Sequence, residues 1–225
     1  MKNKFISFFS KHFYPQNIFA RSIATFIDST KDSIIIDAPC GNGETSWHLS
    51  SIKNTTVYGY DINPTSMQRA KTRYNKVNLF FEEKNILDLK LQTNKVDYFC
   101  IINAIFLLPN PMDILKNALH ILKPQGLLFV ITPNTKGKNF IRFQKHDLET
   151  NKLIIAREEI IPFFKNFNVD VVSINPIVYA HNFGRKDVKL FSIFSHFYLT
   201  LLNIFQTKLK LSESNYFLVV LKNKN

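Results

Sequence analysis

The chain has 225 residues, 45% of them hydrophobic and 20% charged, and a formal net charge of +12. That balance excludes an intrinsically disordered chain, and the length suits one α/β domain over residues 1–225 with a full core. Its two cysteines, Cys40 and Cys100, each sit in or beside an apolar run, which excludes a disulfide framework and fits a reducing compartment.

The positive excess is mostly lysine scattered among Asn and Ile. Only six of the 29 basic residues are Arg, the side chain best suited to bidentate phosphate contacts, so nucleic acid is the less favoured partner. At the N-terminus, Lys2 and Lys4 precede Phe5, Ile6, Phe8 and Phe9, but Lys11 and His12 interrupt the run too early for a signal peptide. Residues 1–30 read as a helical lid. No uninterrupted apolar span of transmembrane length occurs, and a cytoplasmic location is expected.

Strand-like and helix-like segments then alternate, the pattern of a mostly parallel sheet with helices on both faces. Ser33 to Asp37 is a solid Ile run of the doubly buried type. A glycine turn leads into a helix from Glu44 to Ile52. Thr56 to Tyr60 is the second strand and ends at Asp61. Pro64 suits the first turn of a helix reaching Tyr74. Leu79 to Phe81 and Val96 to Ile102 are the third and fourth strands. Pro111 opens a helix ending near Leu122, and Lys123 to Gly126 turns into a fifth strand, Leu127 to Thr132. A helix over Arg157 to Phe167 precedes the sixth strand, Val169 to Val178. Residues 186–211 form an apolar helical insert before a last strand, Tyr216 to Leu221. The expected fold is a seven-stranded, Rossmann-like α/β sheet with its last strand antiparallel.

The central motif is Asp37-Ala38-Pro39-Cys40-Gly41-Asn42-Gly43, between a buried strand and a helix. Glycines at such a turn let backbone approach a ligand closely, and Asp61 stands where a carboxylate can accept hydrogen bonds from ribose hydroxyls. A dinucleotide fingerprint needs a third glycine, which is missing after Gly43, and Glu44 would repel a pyrophosphate. A cationic sulfonium with an amino-acid tail meets no such objection, and Asp37 would suit its ammonium group.

With these residues, Ile34 to Gly43 resembles the first motif of class I S-adenosylmethionine-dependent methyltransferases, of the type 11 or type 25 kind. Tyr58 to Asp61 resembles the second motif, and Asn85 to Asp88 the adenine-binding stretch. Asp97 to Asn103 with Ile105 to Pro111 resembles the fourth strand and its loop, and Leu122 to Leu128 the turn into the fifth. The resemblance implies S-adenosyl-L-methionine as cofactor, held by Asp37, Pro39, Gly41, Gly43, Asp61, Ile62, Asn85, Ile86 and Asn103, and no metal. Pro39 departs from the family's first glycine, so the turn must differ locally. Phe106 and Leu107 stand where many relatives have polar residues and suggest an apolar wall.

A base is needed only if the acceptor must lose a proton; His146, Tyr179 and His181 are the candidates. Within 186–211, between Leu190 and Phe205, the polar positions Ser192, Ser195, His196, Thr200 and Asn203 make one narrow helical stripe and the rest is apolar, with Lys186, Lys189, Lys208 and Lys210 flanking it. Such a surface covers a core, a greasy substrate, a second copy in a homodimer, or a membrane surface. The reading that follows is O- or C-methylation of a small or carrier-bound hydrophobic acceptor: aromatic, polyene, quinone- or lipid-like. An RNA or protein methyltransferase using the basic surface, or a non-catalytic cofactor-binding relative, are the alternatives.

Overall fold

The computed structural model describes residues 15–89, 95–134, 162, 164, 167–177 and 216–224. Helix α1 (Pro15–Ala24) is followed by β1 (Ser33–Asp37), α2 (Glu44–Leu49), β2 (Thr55–Asp61), α3 (Pro64–Arg73) and β3 (Leu79–Glu83). A 3-10 turn over Ile86–Asp88 precedes β4 (Val96–Ile102), and a second over Ile105–Leu107 precedes α4 (Pro111–Ile121). Strands β5 (Leu122–Pro133), β6 (Val169–Ile177) and β7 (Tyr216–Asn223) follow.

The seven strands form one sheet in the order β3-β2-β1-β4-β5-β7-β6. Strands β1 to β5 pair in parallel, and β7 runs antiparallel to both of its neighbours, β5 and β6. The last strand is therefore antiparallel as expected, but it is inserted between β5 and β6 rather than added at an edge. That interior position explains why nearly every residue of β7 is buried. The order reverses between β1 and β4, and in open α/β sheets a crevice opens at the carboxyl ends beside such a reversal.

Alternation along the strands divides the core in two. On one face Ile35, Val57, Cys100, Phe129, Ile131 and Leu218 pack with Ile18, Phe19 and Ile23 of α1 and Leu49 of α2. On the other, Ile36, Phe99, Ile101, Leu128, Val130 and Val219 pack with Ile114, Leu115 and Ala118 of α4. Covering both faces is what makes the central strands read as continuous apolar runs rather than alternating ones.

Local chemistry sets the helix starts. Asn63 caps α3, its side chain accepting a hydrogen bond from the Ser66 N–H at 3.1 Å, with Pro64 in the first turn. Pro111 opens α4 in the same way. Several boundaries differ from the sequence reading, β7 for one running on to Asn223. Helix α2 ends at Leu49 and continues only as turns to Ile52. Strand β3 reaches Glu83 because its exposed end still pairs with β2, Glu83 lying opposite Asp61. Strand β5 begins at Leu122, which pairs with Val96 before the left-handed Gln125 (φ 67°) shifts the register to Tyr98 and Leu127. Of the helix expected over Arg157 to Phe167, Pro162 and Phe164 are helical, and Phe164 is buried. The insert at 186–211 and residues 1–14 of the expected lid lie outside the described residues. Among those described, no helix is long and apolar enough to cross a membrane.

Candidate active site

A crevice of about 340 Å³ opens at the carboxyl ends of β1, β2 and β4. Pro39, Cys40, Gly41 and Asn42 of the turn, Glu44 and Thr45 at the start of α2, and Asp61 form one side. Phe19 of α1 and Ile102, Asn103, Ala104, Leu107 and Leu108 after β4 form the other. Among the described residues that line the crevice there is no Lys, Arg or His, although the chain carries twelve net positive charges. Glu44 is paired with Arg73 of α3 at 3.1 Å.

The turn is tied to the strands on both sides. Ala38 donates its N–H to the Cys100 carbonyl at 3.0 Å, and Cys40 donates to the Tyr60 carbonyl at 2.9 Å. The Ala38–Pro39 peptide is cis, the local difference that Pro39 brings to the motif. Gly41 donates its N–H to Asp61 Oδ2 at 2.8 Å, and Asn63 donates to Asp61 Oδ1 at 2.9 Å. The Asp61 carboxylate is thus fixed by two backbone donors. Each of its oxygens keeps a lone pair for a further donor.

The two glycines of the turn do different things. Both have positive φ, +55° at Gly41 and +80° at Gly43. A Cβ on Gly41 would meet nothing within 4 Å, so the space beside it is crevice. A Cβ on Gly43 would lie 2.5 Å from the Phe81 ring and 3.0 Å from Ala70. Gly59 of β2 faces the same ring, at 2.6 Å. Gly43 is therefore a seat for Phe81 of β3, not a wall of the crevice.

Asp37 is 1% exposed and sits outside the crevice lining. Its Oδ2 accepts a 2.6 Å hydrogen bond from Ser46 Oγ, and its Oδ1 has no partner. Burial, helped by the nearby Asp61 charge and opposed by Ser46, lifts its carboxyl from 3.8 to about 7. Burial likewise pushes the thiols of Cys40 and Cys100 up, which argues against either as a nucleophile.

Of the nine cofactor candidates, Pro39, Gly41, Asp61 and Asn103 line the crevice. Asn103 is left-handed (φ 52°), donates its N–H to the Ile131 carbonyl at 2.8 Å, and buries an Oδ1 without a partner. Asp37 and Gly43 support the turn from behind. Ile62, 64% exposed, follows β2 and is not among the lining residues. Asn85 follows β3 outside the lining residues, its Oδ1 accepting from the Leu87 N–H at 3.0 Å. Ile86 is in the core, and its carbonyl accepts from Asn117 Nδ2. Phe106, expected in an apolar wall, is buried in the core, and Leu107 and Leu108 make the wall instead. His146, Tyr179 and His181 lie outside the described residues. Phe19, Thr45 and Ser46 escaped the sequence reading: helical periodicity marks Phe19 only as a core residue, and nothing in the sequence ties Ser46 to Asp37.

A seven-stranded sheet of this order, with a glycine turn after β1 and an acid closing β2 over a shared crevice, defines a class I, Rossmann-like methyltransferase. S-adenosylmethionine is the cofactor of that class. The sequence model of a family described as a methyltransferase domain matches residues 29–181, and the chain belongs to that family. It is similar to the 27-O-demethylrifamycin SV methyltransferase of Amycolatopsis mediterranei, 23% identical over 111 residues, covering 46% of this chain and 41% of that one. It is also similar to a ubiquinone biosynthesis O-methyltransferase of Glaesserella parasuis, 25% identical over 114 residues and 48% of each chain. The matched stretch thus spans less than half the length of these curated relatives. Among solved structures, a methyltransferase from Thermotoga maritima described as a possible histamine N-methyltransferase superposes with a TM-score of 0.65 at 14% identity, covering 100% of this chain and 96% of that one.

Proposed function

We propose that this chain transfers a methyl group from S-adenosylmethionine to oxygen or carbon of a small or carrier-bound hydrophobic acceptor. The observation that carries this reading is the crevice itself: an acidic, glycine-walled side faces an apolar wall of Phe19, Ile102, Ala104, Leu107 and Leu108. The acidic side suits a cation and the apolar wall suits a greasy partner. The same crevice disfavours a polyanion, because its lining among the described residues brings carboxylates and no cation. The two curated relatives, named as methyltransferases of a rifamycin and of ubiquinone biosynthesis, support an acceptor of this kind.

The cofactor, when bound, supplies an electrophilic methyl on a sulfonium, so the protein's part is positioning and exclusion of water. Asp61 is suited to hold the ribose hydroxyls, its carboxylate being pre-set by Gly41 and Asn63. Gly41 admits the ligand against bare backbone. The unpartnered Asn103 Oδ1 is an acceptor waiting for an N–H donor, which the ammonium of the tail would supply. Ile62, Asn85 and Ile86 are proposed to flank the adenine from the ends of β2 and β3. If the acceptor must lose a proton, His146, Tyr179 and His181 are the bases to examine. The apolar composition of residues 186–211 fits such a hydrophobic acceptor, in a protein proposed to be cytoplasmic.

Titration calorimetry with S-adenosylmethionine, then methyl transfer from labelled cofactor to panels of phenols, quinols and RNA, tests the reading. Asp61→Asn should weaken cofactor binding at least about tenfold, the usual cost of losing hydrogen bonds to a charged acceptor. Label appearing in RNA and in none of the hydrophobic acceptors would favour the nucleic-acid alternative. Absence of cofactor binding would leave a non-catalytic relative.

A further inference from the structure

Asp37 closes β1 directly under the glycine turn and is shut off from solvent, yet one of its carboxylate oxygens is unused. The groups facing it come from three neighbouring elements and from the turn. Ser46 of α2 donates to Oδ2, Asp61 of β2 adds a like charge, Cys100 of β4 lies within electrostatic reach, and so does Cys40 of the turn. The charge acting on Asp37 is thus another carboxylate's, and among the described residues the crevice lining above supplies no cation. A buried acid in that setting holds its proton up to about pH 7, because ionising it places an uncompensated negative charge beside Asp61.

A cationic ligand in the crevice changes that balance, since it adds the missing positive charge above both acids. We infer that Asp37 is a proton-linked positioning residue: it is protonated while the crevice lacks a cation and releases its proton to solvent when a cationic cofactor binds. This rests on the cofactor reading above and deepens it. Ser46 is the partner that makes the ionised state attainable, its hydroxyl donating to Oδ2 whether or not Oδ1 carries the proton. The consequence is a pH-dependent affinity. Binding tightens as pH rises toward about 7, by up to about tenfold per pH unit for one linked proton, and levels off above.

The test is calorimetry of the full chain with S-adenosylmethionine from pH 5.5 to 7.5, in buffers of different ionisation enthalpy. The buffer dependence counts protons released. The cofactor's own amino group titrates near this range, but it contributes equally to wild type and variant. Wild type should release a sizeable fraction of one proton near pH 6, and Asp37→Asn should lose that release and the matching affinity slope. S-adenosylhomocysteine, without the sulfonium charge, should release fewer protons than the cofactor. If Asp37→Asn does not fold, infrared difference spectra of wild type serve instead, and a protonated-carboxyl band should vanish when the cofactor is added. Binding with no proton release, equal release in Asp37→Asn, or no loss of a carboxyl band would overturn the inference and leave the cofactor reading intact. No binding heat and no thermal shift in wild type would overturn both.

Discussion

Replacing each glycine of the cofactor turn by alanine should give two different defects. Both residues are left-handed, which costs an alanine about 1–2 kcal/mol. At Gly43 the new methyl would also stand 2.5 Å from Phe81 and 3.0 Å from Ala70, so the ring must leave its seat against Gly59 as well. Overpacking of this kind costs about 1–3 kcal/mol, for a total of about 2–5 kcal/mol. That is a large part of the ~5–15 kcal/mol that holds a typical domain. At Gly41 nothing lies within 4 Å, so the left-handed strain stands alone, and the methyl projects into the crevice. Urea unfolding should show the difference. With a slope of about 2–3 kcal/mol/M, Gly43→Ala should lose about 1–2 M of midpoint and Gly41→Ala under about 1 M. Calorimetry should show the converse, with cofactor affinity falling about tenfold or more in Gly41→Ala, the equivalent of about 1.4 kcal/mol. A Gly43→Ala protein as stable as wild type, or a Gly41→Ala protein that binds the cofactor normally, would refute the division of labour between the two residues.

Two further outcomes follow from the core. Phe129 is fully buried in the middle of β5 and packs against Tyr98 and Phe26 at 6.0 Å each; Phe129→Ala should cost about 3–5 kcal/mol by urea unfolding at unchanged slope. Asp37 also makes stability depend on pH. Its carboxyl stands at 3.8 when unfolded and about 7 when folded, so the folded protein holds the extra proton between those values. Its contribution to stability is therefore full below about pH 4, falls as pH rises to about 7, and is flat above. The ceiling is about 4 kcal/mol at about 1.4 kcal/mol per pH unit. Unfolding midpoints of wild type minus Asp37→Asn should trace that decline; parallel curves from pH 4 to 8 would contradict it.

Much of the architecture was legible because it rests on local patterns. The Ile run of β1, the apolar run of β4 and the alternation of strand-like with helix-like segments fix a doubly covered sheet. Pro64 and Pro111 mark helix starts by their own geometry. Asp61 was readable as a site residue because an acid ending the strand after a glycine turn sits at one edge of the crevice in any sheet of this order. Pro39 and Gly41 came with it, being carried by the same turn.

What the tertiary structure decided depends on partners distant in sequence. Gly43 looks like a ligand-facing glycine until Phe81, brought in by β2–β3 pairing, proves to occupy its open side. Asp37 looks like a ligand for an ammonium group until α2 sets Ser46 against it and closes it from solvent. Phe106 and Leu107 are equally apolar neighbours, and only the 3-10 turn after β4 sends one to the core and the other to the crevice. Phe19 reaches the site because α1 packs on the face that α2 shares. A sequence states which side chains are apolar, acidic or absent; which of them face one another is set by strand order and register, because packing across a sheet joins residues that no local pattern relates.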